Sequence, residues 1–318
     1  MEGKKIKIAI IGLGPVGQIL AVHFKQAGYD VAICELDKEK VNLIRKNGIE
    51  LTGKVEKREY FKYVYESVTD LFCHDFHILV SSVKAYHIEY LMEQFTKARK
   101  KDLFLLIAQN GIDIRKKYLS QFEESQILRL VINFAGNLMA PNTVNVTFFN
   151  PPNFIGSVND SQPELSKRIA DTLTSADLET KVADSFEIND QMWAKTILNA
   201  ALSPLCAIAN LTMKEAMEHP DTLEIVEQII YEAVTVAKAE DVKIPDNFVK
   251  LCIRYLKMAG NHFPSLAVDL LNRQPTEIDF MNGKIVEYGR KHYIKTPLNL
   301  TFTNLVNAIS DKHKMMKN

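Results

Sequence analysis

The chain has 318 residues, 47% hydrophobic and 25% charged, with 39 Lys+Arg balanced against 39 Asp+Glu. That length accommodates two domains of ordinary size, and a formal net charge of zero leaves no electrostatic footprint for nucleic acid or a membrane surface. Cys34, Cys73, Cys206 and Cys252 are widely separated, have apolar neighbours and show no metal-type spacing, so they read as reduced core thiols of a soluble cytoplasmic protein.

The first apolar run, "IKIAIIGLG", is too short for a signal or membrane helix and reads as a buried strand. A helix follows in "PVGQILAVHFKQAG", opening on Pro15 and closing on Gly28. "YDVAICE" is a second strand and "DKEKVNLIRKNG" a second helix, ending on Gly48. Further strands are expected at "FHILVSSV", "LFLLIAQN", "ILRLVINFA" and "TVNVTFF". The prolines at 151–152 with "FIGSV" suggest a late antiparallel hairpin, followed by the helix "PELSKRIADTLTSA". Strands alternating with helices predict a mostly parallel, doubly wound sheet of the Rossmann type, an α/β fold.

After about residue 186 the strand signals stop, and helical patterns cover 190–209, 221–239, 245–258, 276–290 and 298–309. The expected organisation is a dinucleotide-binding domain over 1–185 and an all-helical domain over 186–318. The basic runs at 97–101 and 311–318 read as a solvated loop and a frayed tail. No uninterrupted apolar stretch reaches 18 residues, so no membrane span is expected.

Gly12, Gly14 and Gly17 form G-x-G-x-x-G between the first strand and the first helix, so "GLGPVG" (Gly12, Leu13, Gly14, Pro15, Val16, Gly17) is the candidate pyrophosphate cradle. The first glycine allows the tight turn, the second a close approach of phosphate, and the third tight helix–strand packing; the helix N-terminus supplies free N–H groups. Glu35 ends the second strand, where a carboxylate accepts from the adenosine ribose hydroxyls and repels a 2′-phosphate. No arginine stands at Leu36 or Asp37. The cofactor is therefore NADH or NADPH, with NADH favoured; Asp37 can cap the next helix in addition.

Two more polar islands end apolar strands: "ILVSSVKAYH" delivers Lys84, and "LLIAQNG" delivers Asn110 and Gly111. In "DQMWAKTILNAALSPLCAIAN" (190–210), Gln191, Lys195, Asn199 and Ser203 recur every fourth residue and so share one helix face. That stripe is either the wet side of an amphipathic helix, with the lysine reaching outward, or a line of functional groups. Further on, Ser265, Asp269, Glu277 and Asn282 stand out; Ser265 and Thr276 also suit helix N-caps.

Taken in order, "GLGPVG", "SSVKAYH", "QNG", "MWAKTILNAALSPL", "PSLAVD" and "TEIDFMNGKIVE" resemble the 2-dehydropantoate 2-reductase (ketopantoate reductase) family, and the likeness spans nearly the whole chain. The resemblance implies a Rossmann domain followed by a helical domain, with an active site in the cleft between them. It implies Lys195 as general acid and Glu277 as its acidic partner, the latter also on the cofactor side. Asn199 and Ser265 take substrate-binding positions. Lys84 and Asn110 lie beside the nicotinamide and its ribose, Asn110 also facing substrate. The expected substrate is a small 2-oxo acid, with no nucleic acid, membrane or metal partner, and a homodimer through the helical domain is the assembly to test.

Three departures from the family pattern stand out. Glu35 and Leu36 replace the arginine that many members use for the 2′-phosphate, Ser203 stands where asparagine is common, and Pro264 where a second serine is common. They leave open an NAD-dependent D-2-hydroxy-acid dehydrogenase of the D-mandelate type on the same scaffold. A non-catalytic nucleotide sensor is the remaining alternative, and it would have no need of Lys195, Asn199, Ser265 and Glu277 together.

Overall fold

The run KIAII forms strand β1 (Lys7–Ile11), buried along four of its five residues as a strand covered on both faces should be. Helix α1 (Pro15–Gln26), strand β2 (Asp30–Cys34) and helix α2 (Lys38–Asn47) follow. Asp37 caps α2 by accepting from the backbone N–H groups of Glu39 and Lys40 at 3.0 and 3.1 Å. This computed structural model describes residues 6–97 and 103–316. It separates into a unit built from the chain up to Gln109 with Arg115–Ile188, and a second built from Asn110–Ile114 with Asn189 onward. The basic run at 97–101 lies, from residue 98, outside the described residues.

The first unit continues through β3 (Ile49–Gly53), β4 (Lys57–Glu59), β5 (Tyr63–Tyr65), α3 (Val68–Cys73), β6 (Ile78–Ser81), α4 (Ile88–Lys97) and β7 (Phe104–Ile107). It then runs through β8 (Ile127–Val131), β9 (Phe134–Ala140), β10 (Thr143–Phe149), β11 (Asn153–Ser157), α5 (Pro163–Ser175) and β12 (Thr180–Val182). Its main sheet has the order β12-β11-β8-β7-β6-β1-β2-β5, parallel except where β11 pairs with β8. The six strands from β5 to β8 reproduce the Rossmann order, which reverses direction between β1 and β6, and ligands of such sheets bind beyond the strand ends at that reversal.

A second sheet, β4-β3-β10-β9, was not anticipated. "ILRLVINFA", read as one strand, breaks after Val131: β8 joins the main sheet, whereas β9 pairs antiparallel with β10 in the second. Helix α1 packs against strands of both sheets, which explains why Gly17 to Phe24 are buried without interruption. The Cys73 thiol is exposed at the end of α3, unlike the other three cysteines, so it is not a core thiol.

The second unit is helical: α6 (Ser185–Ala209), α7 (Met213–Glu218), α8 (Pro220–Ala239), α9 (Phe248–Leu256), α10 (Ser265–Leu271), α11 (Asn282–Lys291) and α12 (Pro297–Met315). The first residues of α6, up to Ile188, belong to the first unit. The helix expected over 276–290 is a short 3-10 turn, Ile278–Phe280, followed by α11. α12 continues to Met315, so the basic tail is helical there rather than frayed. α6 is long and apolar enough by composition to cross a membrane, but Trp193, Ile197, Ala201, Leu205 and Cys206 form the core of the helical unit.

Pro204 lies inside α6 and has no N–H for the carbonyl of Ala200 one turn earlier. Asn282 supplies it: Nδ2 donates to Ala200 O at 3.0 Å and to Asn299 Oδ1 at 3.0 Å. Asn299 in turn donates to Glu232 at 2.7 Å, and Glu232 accepts the N–H groups of Leu298 and Asn299 that open α12. Asn282, conspicuous in the sequence, is thus a structural support for the helix that carries Lys195 and Asn199.

Candidate active site

The glycine turn sits at the end of β1, where the sheet order reverses. Gly12 has φ +86°, and a Cβ there would meet Val83 N at 2.7 Å. At Gly17 a Cβ would lie 2.0 Å from Gly12 O and 2.6 Å from Ser82 Oγ. Both glycines are therefore demanded by the protein's own packing. Gly14 differs: its φ of −66° suits any residue, and a Cβ would meet nothing within 4 Å among the described residues. Packing gives no reason for glycine at this helix N-cap, whereas close approach of a pyrophosphate to the backbone does. Leu13 is buried, Val16 half-buried, and Pro15 takes the first helical position, where its missing N–H costs nothing. Gln18 Nε2 braces the turn by donating to Leu13 O and Pro141 O, both at 2.9 Å. These residues fit a dinucleotide.

Glu35 reaches this turn. Its Oε2 accepts from Leu13 N at 3.2 Å and pairs with Lys40 Nζ at 3.1 Å, while Oε1 accepts from Leu36 N at 2.8 Å. Lys40 Nζ also donates to Leu13 O at 3.4 Å. In the sequence, positions 36 and 37 were weighed as cation sites beside Glu35. Lys40 was not, because the first turn of α2 brings that residue back over the strand end.

Beyond the next strand, Ser82 Oγ donates to Ile11 O at 3.1 Å and Gly12 O at 2.7 Å, which ties "SSVK" to the cradle. Lys84 follows, half-buried, heading a 3-10 turn. Beneath it, Ser81, Gln109 and Tyr118 form a buried hydrogen-bonded triangle, and the Arg129 guanidinium donates to Gln109 O at 2.8 Å. Desolvation pushes the Arg129 pKa down to about 10. This network holds the ends of the strands that deliver Lys84 and the "QNG" segment.

Asn110 itself belongs to the helical unit. Ile112 N donates to Phe280 O at 2.9 Å, and Asp113 accepts from Tyr288 OH at 2.8 Å and pairs with Lys284 at 3.3 Å. Gly111 has φ +109°, and a Cβ there would press to 2.9 Å on Phe280. The segment carrying Asn110 is thus bonded to the turn that Glu277 heads. Glu277 is the N-cap residue of that turn, so the cap expected from Thr276 does not form. Ser265 is the first residue of α10 after the N-cap Pro264; it is exposed and makes no capping bond.

Lys195 and Asn199 lie one turn apart on α6, both half-buried, and Ser203 is buried. From Gln191 to Ile208 no residue of the helix is exposed, and the polar stripe is half-buried from Gln191 to Asn199 and buried at Ser203, so the lysine does not lie on a fully solvated face. Desolvation pushes the Lys195 pKa down to about 8. Two histidines near the sheet take structural places: His77 Nδ1 accepts from Lys7 N at 3.0 Å, and His74 bonds to Tyr65 OH at 3.1 Å.

The comparisons with known proteins agree in one direction. Residues 8–160 match the family model described as ketopantoate reductase PanE/ApbA, and residues 187–310 match its C-terminal model. The 2-dehydropantoate 2-reductase of Streptococcus pyogenes serotype M3 (strain ATCC BAA-595 / MGAS315) is 27% identical over 306 residues, 95% of this chain and 97% of the relative. Among solved structures, D-mandelate dehydrogenase with NADH and anilino(oxo)acetate superposes with a TM-score of 0.85 at 24% identity, covering 97% of this chain and 99% of that one. A dimeric ketopantoate reductase from Staphylococcus aureus gives 0.79 at 18% identity, over 97% and 100%. At those identities the two structures establish the fold. With both parts of the chain matched by its models, the protein belongs to the ketopantoate reductase family, a family of oxidoreductases that reduce a ketone with a nicotinamide cofactor.

Proposed function

We propose that this protein reduces a small 2-oxo acid, most simply 2-dehydropantoate to pantoate in pantothenate synthesis, with Lys195 as the proton donor. The observation that carries the reading is an ammonium group set in a helix with no exposed residue around it and a pKa pushed down to about 8. A ketone gaining a hydride becomes an alkoxide, which needs a fixed positive charge and then a proton. An amine of that pKa is mostly protonated at neutral pH and still gives up its proton readily. When bound, the nicotinamide supplies the hydride.

In this reading Gly12 to Gly17 hold the pyrophosphate and Glu35 the adenosine ribose hydroxyls. Lys84 and Asn110 hold the nicotinamide end, and Glu277 keeps the Lys195 amine in place on the cofactor side. Asn199, Ser265 and Asn110 orient the substrate. The carboxylate of Glu35 and the absence of an arginine at Leu36 favour NADH over NADPH. The dimeric state named for the Staphylococcus aureus relative supports a homodimer here, and dependence on the reduced nicotinamide pool suits a cytoplasmic location.

A second reading, an NAD-dependent D-2-hydroxy-acid dehydrogenase, is favoured by Glu35 and by Ser203 and Pro264, both buried, which replace larger or more polar groups of the family pattern. The D-mandelate dehydrogenase that shares the fold was solved with NADH and anilino(oxo)acetate. Initial rates with 2-dehydropantoate and with an aryl 2-oxo acid, run side by side, separate the two. A higher kcat/KM for 2-dehydropantoate supports the first reading, and a higher value for the aryl acid replaces it with the second.

A further inference from the structure

Lys40 occupies a position that helix electrostatics disfavour. It stands in the first turn of α2, where the macrodipole favours acids and where Asp37 and Glu39 already lie. Its side chain nevertheless turns back on the glycine turn and is only 13% exposed, with Nζ 3.1 Å from Glu35 Oε2 and 3.4 Å from Leu13 O. The Glu35 side chain, 17% exposed, accepts from Leu13 N at 3.2 Å. The two opposite charges therefore clasp the Leu13 backbone on either side of its Cα, and together they leave no net charge where the adenosine ribose is expected.

We infer that Lys40 is a specificity-determining residue for the adenosine ribose, an inference that rests on the dinucleotide reading above. Glu35 accepts from a free 2′-hydroxyl, and its charge opposes a 2′-phosphate. Lys40 offsets that opposition, and a 2′-phosphate can take over the ammonium from Glu35 without leaving the cation unpaired. NADH is then preferred only weakly. The two residues act with opposite sign: NADPH affinity depends on Lys40, and NADH affinity on Glu35.

The test is a pair of dissociation constants, for NADH and for NADPH, measured by fluorescence titration with no substrate present. Lys40→Gln keeps a donor toward Glu35 and Leu13 but removes the charge; it should weaken NADPH about tenfold or more, the scale of one charge pair in a partly exposed site, and NADH by no more than about threefold. Lys40→Met should behave alike, Lys40→Arg should keep wild-type NADPH affinity, and Glu35→Gln should move the ratio toward NADPH. Equal weakening of both nucleotides by Lys40→Gln and Lys40→Met would reduce Lys40 to a clasp on the loop and overturn the inference alone. A wild type that binds neither nucleotide would overturn the dinucleotide reading and this inference together.

Discussion

Replacing Asn282 with leucine should unfasten α6 at its proline. The amide makes two buried bonds, to Ala200 O and to Asn299 Oδ1, each at 3.0 Å. Leucine has nearly the same volume and donates nothing, so two buried acceptors lose their partner at about 1–3 kcal/mol each. Asn282 Oδ1 has no hydrogen-bond partner among the described residues, so its removal returns part of that loss. A net destabilisation of roughly 2–3 kcal/mol remains, which lowers Tm by about 5–10 °C in a unit of this size. The cause is specific and can be checked with a second substitution. Pro204→Ala restores the N–H that Ala200 O lacks, so in the Asn282→Leu background it should recover about 1–2 kcal/mol more than it contributes alone. The assay is urea and thermal unfolding of the four proteins of the cycle by circular dichroism. Additive effects, with no coupling between positions 204 and 282, would refute the reasoning.

Other expectations follow from individual side chains. Gly14→Ala should leave stability within about 0.5 kcal/mol and weaken nucleotide binding about tenfold or more, whereas Gly17→Ala, with its Cβ driven onto Gly12 O, should destabilise the fold itself; melting curves and nucleotide titrations separate them. His23 is buried in α1 with Nδ1 on Ile19 O at 2.7 Å, and desolvation pushes its pKa down to about 4. It stays neutral in the folded chain while the unfolded chain protonates near 6.5. Stability should therefore be full above that pH and fall by about 3 kcal/mol as pH drops from 6.5 to 4; His23→Leu should flatten this part of the urea-midpoint profile. With Lys195 as the proposed donor for reduction, the rate in that direction should fall as pH rises through about 8, and the reverse oxidation should rise through the same pH. A pH–rate profile lacking that limb would remove Lys195 from the proton transfer.

Much of the first unit was legible because its signals are local: a buried strand, a glycine turn and a proline-opened helix are contiguous from Lys7 to Gln26. The second sheet was not, because β4 has three residues and β9 alternates weakly, with Asn137 and Met139 among its seven. Its trace in the sequence was α1 itself, apolar around a full turn from Ile19 to Val22, which demands a covering layer on both flanks. Lys40 was missed through counting along the chain rather than around the first turn of a helix. The placement of Asn110 with the helical unit rests on bonds to Phe280 and Tyr288, more than 160 residues away in sequence, which no local pattern encodes. The polar stripe on α6 was visible in the sequence as a spacing of four, but its half-burial from Gln191 to Asn199 depends on the packing around the helix.

The central claim is that Lys195 performs chemistry rather than holding the nucleotide. Cofactor oxidation with 2-dehydropantoate, measured for wild type and Lys195→Met alongside NADH binding to each, tests it most directly. The account predicts turnover by the wild type, a loss of about 10²-fold or more in kcat for the variant, and an unchanged dissociation constant for NADH. A variant that keeps its rate would contradict it, as would a wild type that binds NADH and reduces no 2-oxo acid.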